Sequence, residues 1–325
     1  MLTTRTPFRV SFCGGGSDLP EFYRKNGGCV LSTSIDKYIY ITMMSSFYPD
    51  RILVKYSQVE NVNSPEMIKH RIFRDVFSRY GINGVDVNSL ADVPAGTGLG
   101  SSSTFTVGLV NAVRTYLGKE VTKEGLADEA CETEMVRLNS PIGKQDQYAA
   151  AYGGMNFIRF NKDDTVEVEP VRISADAKRD LNDRLMMFYL GGTRKADDVM
   201  KTYSGGSSDN NKLALCRLTE RLKADLEKDD IDSLGRILDE GWKLKRGISS
   251  SISSDIIDEA YQKALDAGAV GGKLLGAGGN GFMLVYADPR DRPSVRQALS
   301  DFSEMPFRFD ECGSTVVYSD EHGDS

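Results

Sequence analysis

Pro94-Ala-Gly-Thr-Gly-Leu-Gly-Ser-Ser-Ser103 is the stretch on which the reading of this chain turns. It lies between Val85–Leu90, which reads as a strand, and a run with apolar residues at Phe105, Leu109, Ala112, Val113 and Leu117, which predicts a helix. Gly96, Gly98 and Gly100, spaced by Thr97 and Leu99, free the backbone to turn and approach a ligand closely. Ser101, Ser102 and Ser103 add hydroxyls to the free N–H groups and the positive dipole end of a helix N-terminus. Together these features make a phosphate-binding arrangement. The plainer alternative is a flexible turn with a serine N-cap, and the strand–loop–helix context favours the phosphate.

Working outward, Phe8–Phe12 alternates with period two until Gly14, Gly15 and Gly16 break it, and Ile35–Met44 also reads as strand. Pro65–Tyr80 and Lys123–Arg137 read as helices, Met155–Phe160 and Val166–Ile173 as strands. Ser174–Asp183 is polar and marks a boundary near residue 175. Beyond it, RLMMFYL at 184–190 reads as a buried strand. Helical patterns then cover 194–204, 211–228, 232–247 and 254–266, followed by strands at 282–287, 305–309 and 314–318 and a helix near 293–302. The layout predicts an α+β chain of two domains, 1–175 and 176–319, with a polar tail at 320–325.

Composition narrows the function. With 325 residues, 40 % hydrophobic residues and 32 glycines, the chain is ordinary globular protein, which excludes disorder and fibrous repeats. Forty basic against 47 acidic residues give a net charge of −7 with no basic block, so nucleic acid is not an expected partner. Five widely spaced cysteines without a CxxC pair predict reduced thiols rather than disulfides or a zinc site. Two histidines, His70 and His322, leave no His-rich metal cluster. No apolar run reaches membrane-spanning length, and Met1–Pro7 lacks the pattern of a signal peptide. The expectation is a cytoplasmic protein that acts on a small molecule.

A second glycine cluster runs from Gly271 to Gly281 and matches GxGxxG formally at Gly276, Gly278 and Gly281. A dinucleotide site needs a helix after that pattern, and FMLVY follows at once, so the Rossmann reading is rejected. A glycine turn beside a ligand and a plain hairpin remain equal readings. Between the two loops, Glu132, Glu134, Lys144 and Asp146 fall around a helix end and the loop NSPIGKQDQY. Solvated surface is one reading of them. The other is the carboxylate for Mg²⁺ and the carboxylate for an acceptor hydroxyl that a nucleotide phosphate site requires.

Three stretches in one order, PFRVSFCGGGSD at Pro7–Asp18, PAGTGLGSSS at Pro94–Ser103 and KLLGAGGNGF at Lys273–Phe282, resemble the GHMP kinases over nearly the whole chain. Among them the chain most resembles sugar-1-kinases of the heptose 7-phosphate type. The resemblance implies a ribosomal protein S5 domain 2-like N-terminal domain and a ferredoxin-like C-terminal domain. It implies ATP and Mg²⁺, with Pro94, Gly96, Gly98, Leu99, Gly100, Ser101, Ser102 and Ser103 around the phosphates, and Ser102 and Glu134 on the metal rather than Glu132. Asp146 matches the catalytic aspartate, and Arg9 the arginine beside it. Asp18 matches an acceptor for sugar hydroxyls, and the third stretch, with Gly276, Gly278 and Gly279, would close the substrate site.

One departure bears on the acceptor. Galactokinases carry a Glu-His pair where this chain has Gly15-Gly16, so a carboxylate that would repel a phosphorylated sugar is gone. A sugar phosphate such as D-glycero-D-manno-heptose 7-phosphate then becomes the expected acceptor. Arg194 and Lys195 are candidate phosphate partners, or equally an exposed basic helix start. The alternatives are another acceptor, such as L-fucose or galactose, and a non-catalytic sensor of ATP and sugar.

Overall fold

The computed structural model describes residues 1–191, 206–249 and 251–320. Arg194, Lys195, His322 and the helical run read at 194–204 lie outside them.

Leu2–Cys13 (β1) and Gly28–Ser45 (β2) pair antiparallel along most of their length. Between them lies a short helix, Pro20–Asn26 (α1), opened by Pro20 where a missing N–H costs nothing. Ile52–Lys55 (β3) and Val59–Val62 (β4) form a hairpin, then Arg71–Tyr80 (α2) leads to Val85–Ala91 (β5). β5 pairs antiparallel with the second half of β2 and parallel with β3. Ser101–Tyr116 (α3), Lys123–Cys131 (α4) and Gln145–Tyr152 (α5) follow. Met155–Phe160 (β6) then pairs with the first half of β2, and Val166–Pro170 (β7) with β6. Every residue of α3 from Ser103 to Val113 is buried, as befits a helix covered on all sides. It packs on β1 and β2, with α4 and α5 against it.

The second sheet is antiparallel and smaller. Ala175–Arg184 (α6), Leu185–Tyr189 (β8), Gly206–Leu226 (α7), Asp232–Arg246 (α8) and Asp255–Asp266 (α9) precede the hairpin Ala269–Leu274 (β9) and Phe282–Ala287 (β10). Arg292–Ala298 (α10) and Ser303–Glu304 (β11) complete the unit, with strand order β11-β8-β10-β9. The chain then returns: Phe309–Asp310 (β12) pairs with β2, and Thr315–Ser319 (β13) with β1. A cut at residue 175 therefore leaves the last two strands apart from the sheet they complete. α7 lies against β2 and α8 against β1, so the two units share one continuous core.

Three stretches differ from their reading in the sequence. Ser174–Asp183 is the helix α6, capped by Ser174 Oγ accepting from Ala177 N; it buries only Leu181, which is why its sequence looks like a linker. Pro65–Tyr80 is split: a 3₁₀ turn spans Pro65–Met67, and α2 begins after His70, whose Nδ1 accepts from Phe73 N. The strand read at 305–309 shrinks to β11 and β12 at its edges. The architecture is the expected α+β fold of two domains.

Candidate active site

Arg9 owes its position to a break in the β1–β2 ladder. The register shifts between Pro7 and Arg9, and the Arg9 N–H turns from β2 to donate to Leu99 O at 3.3 Å. Such irregularities re-aim side chains beside functional sites. The guanidinium, 4 % exposed, forks onto Asp146: Nε donates to Oδ1 at 2.8 Å and Nη2 to Oδ2 at 2.9 Å. Its Nη1 donates to Gly98 O at 2.7 Å. Asp146 stands in the first turn of α5 and keeps 23 % of its side chain exposed.

The loop at 94–100 meets that pair. Gly100 is the N-cap of α3 with φ +81°, and a Cβ there would stand 3.0 Å from Asp146 Oδ2. Gly98 has φ +89°, and a Cβ on it would stand 2.5 Å from Leu275 O. Both glycines are thus required by backbone angle and by close approach. Among the described residues nothing accepts from the N–H groups of Ser101, Ser102 and Ser103, so the end of α3 presents free donors.

Behind Lys123–Cys131 the helix widens into a π turn, Glu132–Arg137. The turn buries Glu134 at 2 % exposure and leaves Glu132 outside. Ser102 Oγ donates to Glu134 Oε1 at 2.6 Å, and Gln147 Nε2 to Oε2 at 2.8 Å. Burial pushes the Glu134 carboxyl up, the hydrogen bonds from Ser102, Ser103 and Gln147 oppose it, and the charge of Asp146 adds to the rise.

Asp18 is buried at 1 % exposure and ties the first glycine loop to the start of α5. Its Oδ1 accepts from Gly16 N at 3.0 Å and its Oδ2 from Gln145 N at 3.2 Å. Burial, then the charge of Asp146, raises its carboxyl. Lys144 turns away, donating to Asp164 O at 2.8 Å. Gly15 has an ordinary φ, and a Cβ there would meet only Gln145 Nε2, at 3.9 Å.

The third glycine stretch is both a hairpin and a neighbour of the first loop. It joins β9 to β10, Phe282 N donates to Thr97 O at 3.2 Å, and a Cβ on Gly276 would stand 2.5 Å from Gly98 Cα. Gly278 faces Ile252, and Gly279 N donates to Ile252 O at 2.9 Å. Sequence pattern alone assigns no role to Gln147, Lys245 or Lys273. Lys273 Nζ donates to Ser11 O at 2.8 Å and Phe12 O at 3.2 Å; Lys245 Nζ donates to Leu274 O at 3.3 Å and to Gly276 O. Lys245 had a visible signal, since it continues the apolar stripe Leu234, Ile237, Leu238, Gly241 and Trp242 of α8.

Free amide donors at a helix end, facing a carboxylate held flat by an arginine, suit the movement of a phosphoryl group from a nucleotide to a hydroxyl. The protein is an ATP-dependent phosphotransferase. Residues 67–154 match the GHMP kinases N terminal domain and residues 222–304 the GHMP kinases C terminal domain. The D-glycero-alpha-D-manno-heptose 7-phosphate kinase of Campylobacter jejuni is 31% identical over 317 residues, covering 92% of this chain and 93% of the relative. The crystal structure of a D-glycero-D-manno-heptose 1-phosphate kinase from Bacteroides thetaiotaomicron superposes with TM-score 0.80 at 26% identity, covering 98% of this chain and 100% of the other. Lactococcus lactis galactokinase with galactose, at TM-score 0.75 and 14% identity over 97% of this chain and 94% of the other, shares the fold. The chain belongs to the GHMP kinase family. No helix among the described residues is long and apolar enough to cross a membrane.

Proposed function

We propose that the protein transfers the γ-phosphoryl group of ATP to the anomeric C1 hydroxyl of D-glycero-D-manno-heptose 7-phosphate, using Mg²⁺. The C1 oxygen bonds to the γ-phosphorus, and the bond from that phosphorus to the β–γ bridging oxygen breaks. ADP departs, and the hydroxyl proton passes to the Asp146 carboxylate. The fork from Arg9 carries this reading. Two charge-assisted bonds fix the plane of the carboxylate beside the α3 N-terminus while its edge stays open. Asp18, through Gly16 N and Gln145 N, keeps the sugar-side loop and α5 in register.

The donor set suits Mg²⁺. Ser102 Oγ and Glu134 Oε1 lie 2.6 Å apart, and the hydrogen bonds to the buried carboxylate come from neutral groups. A hard cation that takes the Glu134 carboxylate and the Ser102 hydroxyl from the protein, and its remaining oxygens from phosphate and water, would fit there. When bound, it would offset charge on the β- and γ-phosphates.

Support for the acceptor comes from the Campylobacter relative and from the room at Gly15, where a Cβ would meet only Gln145 Nε2 within 4 Å. The five free cysteines suit the reducing cytoplasm. The nucleotide-binding unit is 1–175 completed by the strands of 309–319. The test is a panel of sugars and sugar phosphates with ATP and Mg²⁺. Heptose 7-phosphate is expected to exceed galactose, L-fucose and unphosphorylated heptose in kcat/KM by about ten- to a hundredfold, since one charge-assisted bond to phosphate contributes about 1.5–3 kcal/mol. Preference for a neutral hexose overturns the acceptor and leaves the kinase.

A further inference from the structure

Lys245 sits in the last turn of α8 at 6 % exposure, on the face that otherwise carries Leu234, Ile237, Leu238 and Trp242. Among the described residues no carboxylate pairs with it. Among these residues its ammonium donates to backbone carbonyls alone, those of Leu274 and Gly276. Burial, followed by the charges of Lys273 and Arg9, lowers its proton affinity well below that of an ordinary lysine. An apolar side chain would be the cheaper occupant of such a position, because taking an unpaired ammonium out of water costs several kcal/mol. The lysine therefore calls for a use.

The contacts that start from Lys245 end at the reacting group. Gly276 rests on Gly98, so close that a Cβ on either would overlap the other loop's backbone. Gly98 O accepts from Arg9 Nη1 at 2.7 Å, and the other two arms of Arg9 hold Asp146. Gly276, the residue that rests on Gly98, has no side chain with which to set its own height over it. The bond that Lys245 donates to Gly276 O, anchored by its bond to Leu274 O at the end of β9, sets that height together with the backbone bond from Phe282 N to Thr97 O.

We propose that Lys245 is a positioning residue for phosphoryl transfer: by gripping the carbonyls of Leu274 and Gly276 it presses the 275–281 loop onto Gly98, and so fixes the Arg9–Asp146 fork. The inference rests on the reading of that fork as the acceptor-activating pair. A displacement of about 1 Å at such a centre can cost on the order of a hundredfold in rate.

The experiment compares the parent with Lys245→Met, which keeps the bulk and removes the donor, and Lys245→Gln, which keeps a shorter donor. The acceptor is heptose 7-phosphate or, if that fails, the best sugar of the panel. Lys245→Met is expected to lower kcat by about ten- to a hundredfold while KM for ATP changes less than about threefold. Its melting temperature should equal or exceed that of the parent, because a buried charge has been removed. Lys245→Gln should recover part of the lost kcat. In an Arg9→Lys background, where the fork is already broken, Lys245→Met should have less than about a threefold effect. Unchanged kcat, an equal loss in both backgrounds, or activity that falls only as folded protein is lost would each overturn the proposal. Asp146→Asn and Arg9→Lys, measured alongside, separate the failures. If both retain parental turnover, the fork itself is misread. If both are slow while Lys245→Met is not, only the role of Lys245 falls.

Discussion

The loops at 94–100 and 275–281 share their glycine content and part company at their exits. The first runs into a helix, the second into a strand. At the first exit the N–H groups of Ser101, Ser102 and Ser103 have no acceptor among the described residues. In the second, Leu275 N bonds Phe282 O, Gly279 N bonds Ile252 O and Phe282 N bonds Thr97 O. The helix after the first loop leaves its leading N–H groups for a ligand, whereas Leu275 N and Gly279 N of the second loop, and Phe282 N at its exit, bond within the protein. The element that follows a glycine cluster, and where its N–H groups go, decides its use.

The largest expected effect tests whether the chemistry lies at the first loop. Asp146→Asn, beside Gly100, should lower turnover by about 10²–10⁴-fold with ATP affinity nearly unchanged in calorimetry. Parental turnover would remove the aspartate from the chemistry. Next, Gly15→Glu should lower kcat/KM for a phosphorylated sugar about tenfold more than for a neutral one, through like-charge repulsion. The melt should stay close to the parent, because φ is ordinary there and the nearest atom to a Cβ is 3.9 Å away. Equal losses on both sugars would detach Gly15 from the acceptor's charge.

The packing of the second loop on the first is tested by stability. Gly276→Ala adds a Cβ 2.5 Å from Gly98 Cα at φ +76°, whereas Gly81→Ala, at φ +62°, meets nothing within 4 Å. The second should cost about 1–2 kcal/mol of left-handed strain alone, and the first clearly more, in denaturant titrations. Equal costs would mean that the loops are not pressed together. The smallest effect concerns Glu134. Its carboxyl is raised above the unfolded value, so between those two values the native state binds more protons and stability falls as pH rises. Glu134→Gln should remove this fall, melting higher relative to the parent at pH 8 than at pH 4 in metal-free buffer. A gap that does not widen with pH would deny the buried charge.

The ordered motifs made the family legible, alternation with period two revealed the start of β1, and β-branched and aromatic residues revealed β2. The glycine loop was legible where a local pattern repeats: Gly98, Gly100 and Ser102 lie in one short stretch with distinctive composition, whereas Asp146 was singled out by resemblance. Glu134 could be separated from Glu132 only by resemblance, because the π turn that buries one and exposes the other has no signal in residue type. Lys245 escaped because a lysine at a helix C-terminus reads as dipole compensation. Only its place on the apolar stripe betrays it. The helix α6 was hidden by its single buried residue, Leu181.

The return of the last strands bears on how the chain is made. Tyr38 Oη bonds Asp310 Oδ2 across 272 positions of sequence, and β1 receives β13 from the far end of the chain. A ribosome thus releases the opening strands long before the segment that covers their outer edge. Until then β1 presents an unpaired edge, the kind of surface that recruits the wrong partner. Synthesis must carry the first sheet unfinished through the whole of the second unit, and a nascent chain stalled before residue 309 would be the form most dependent on a chaperone.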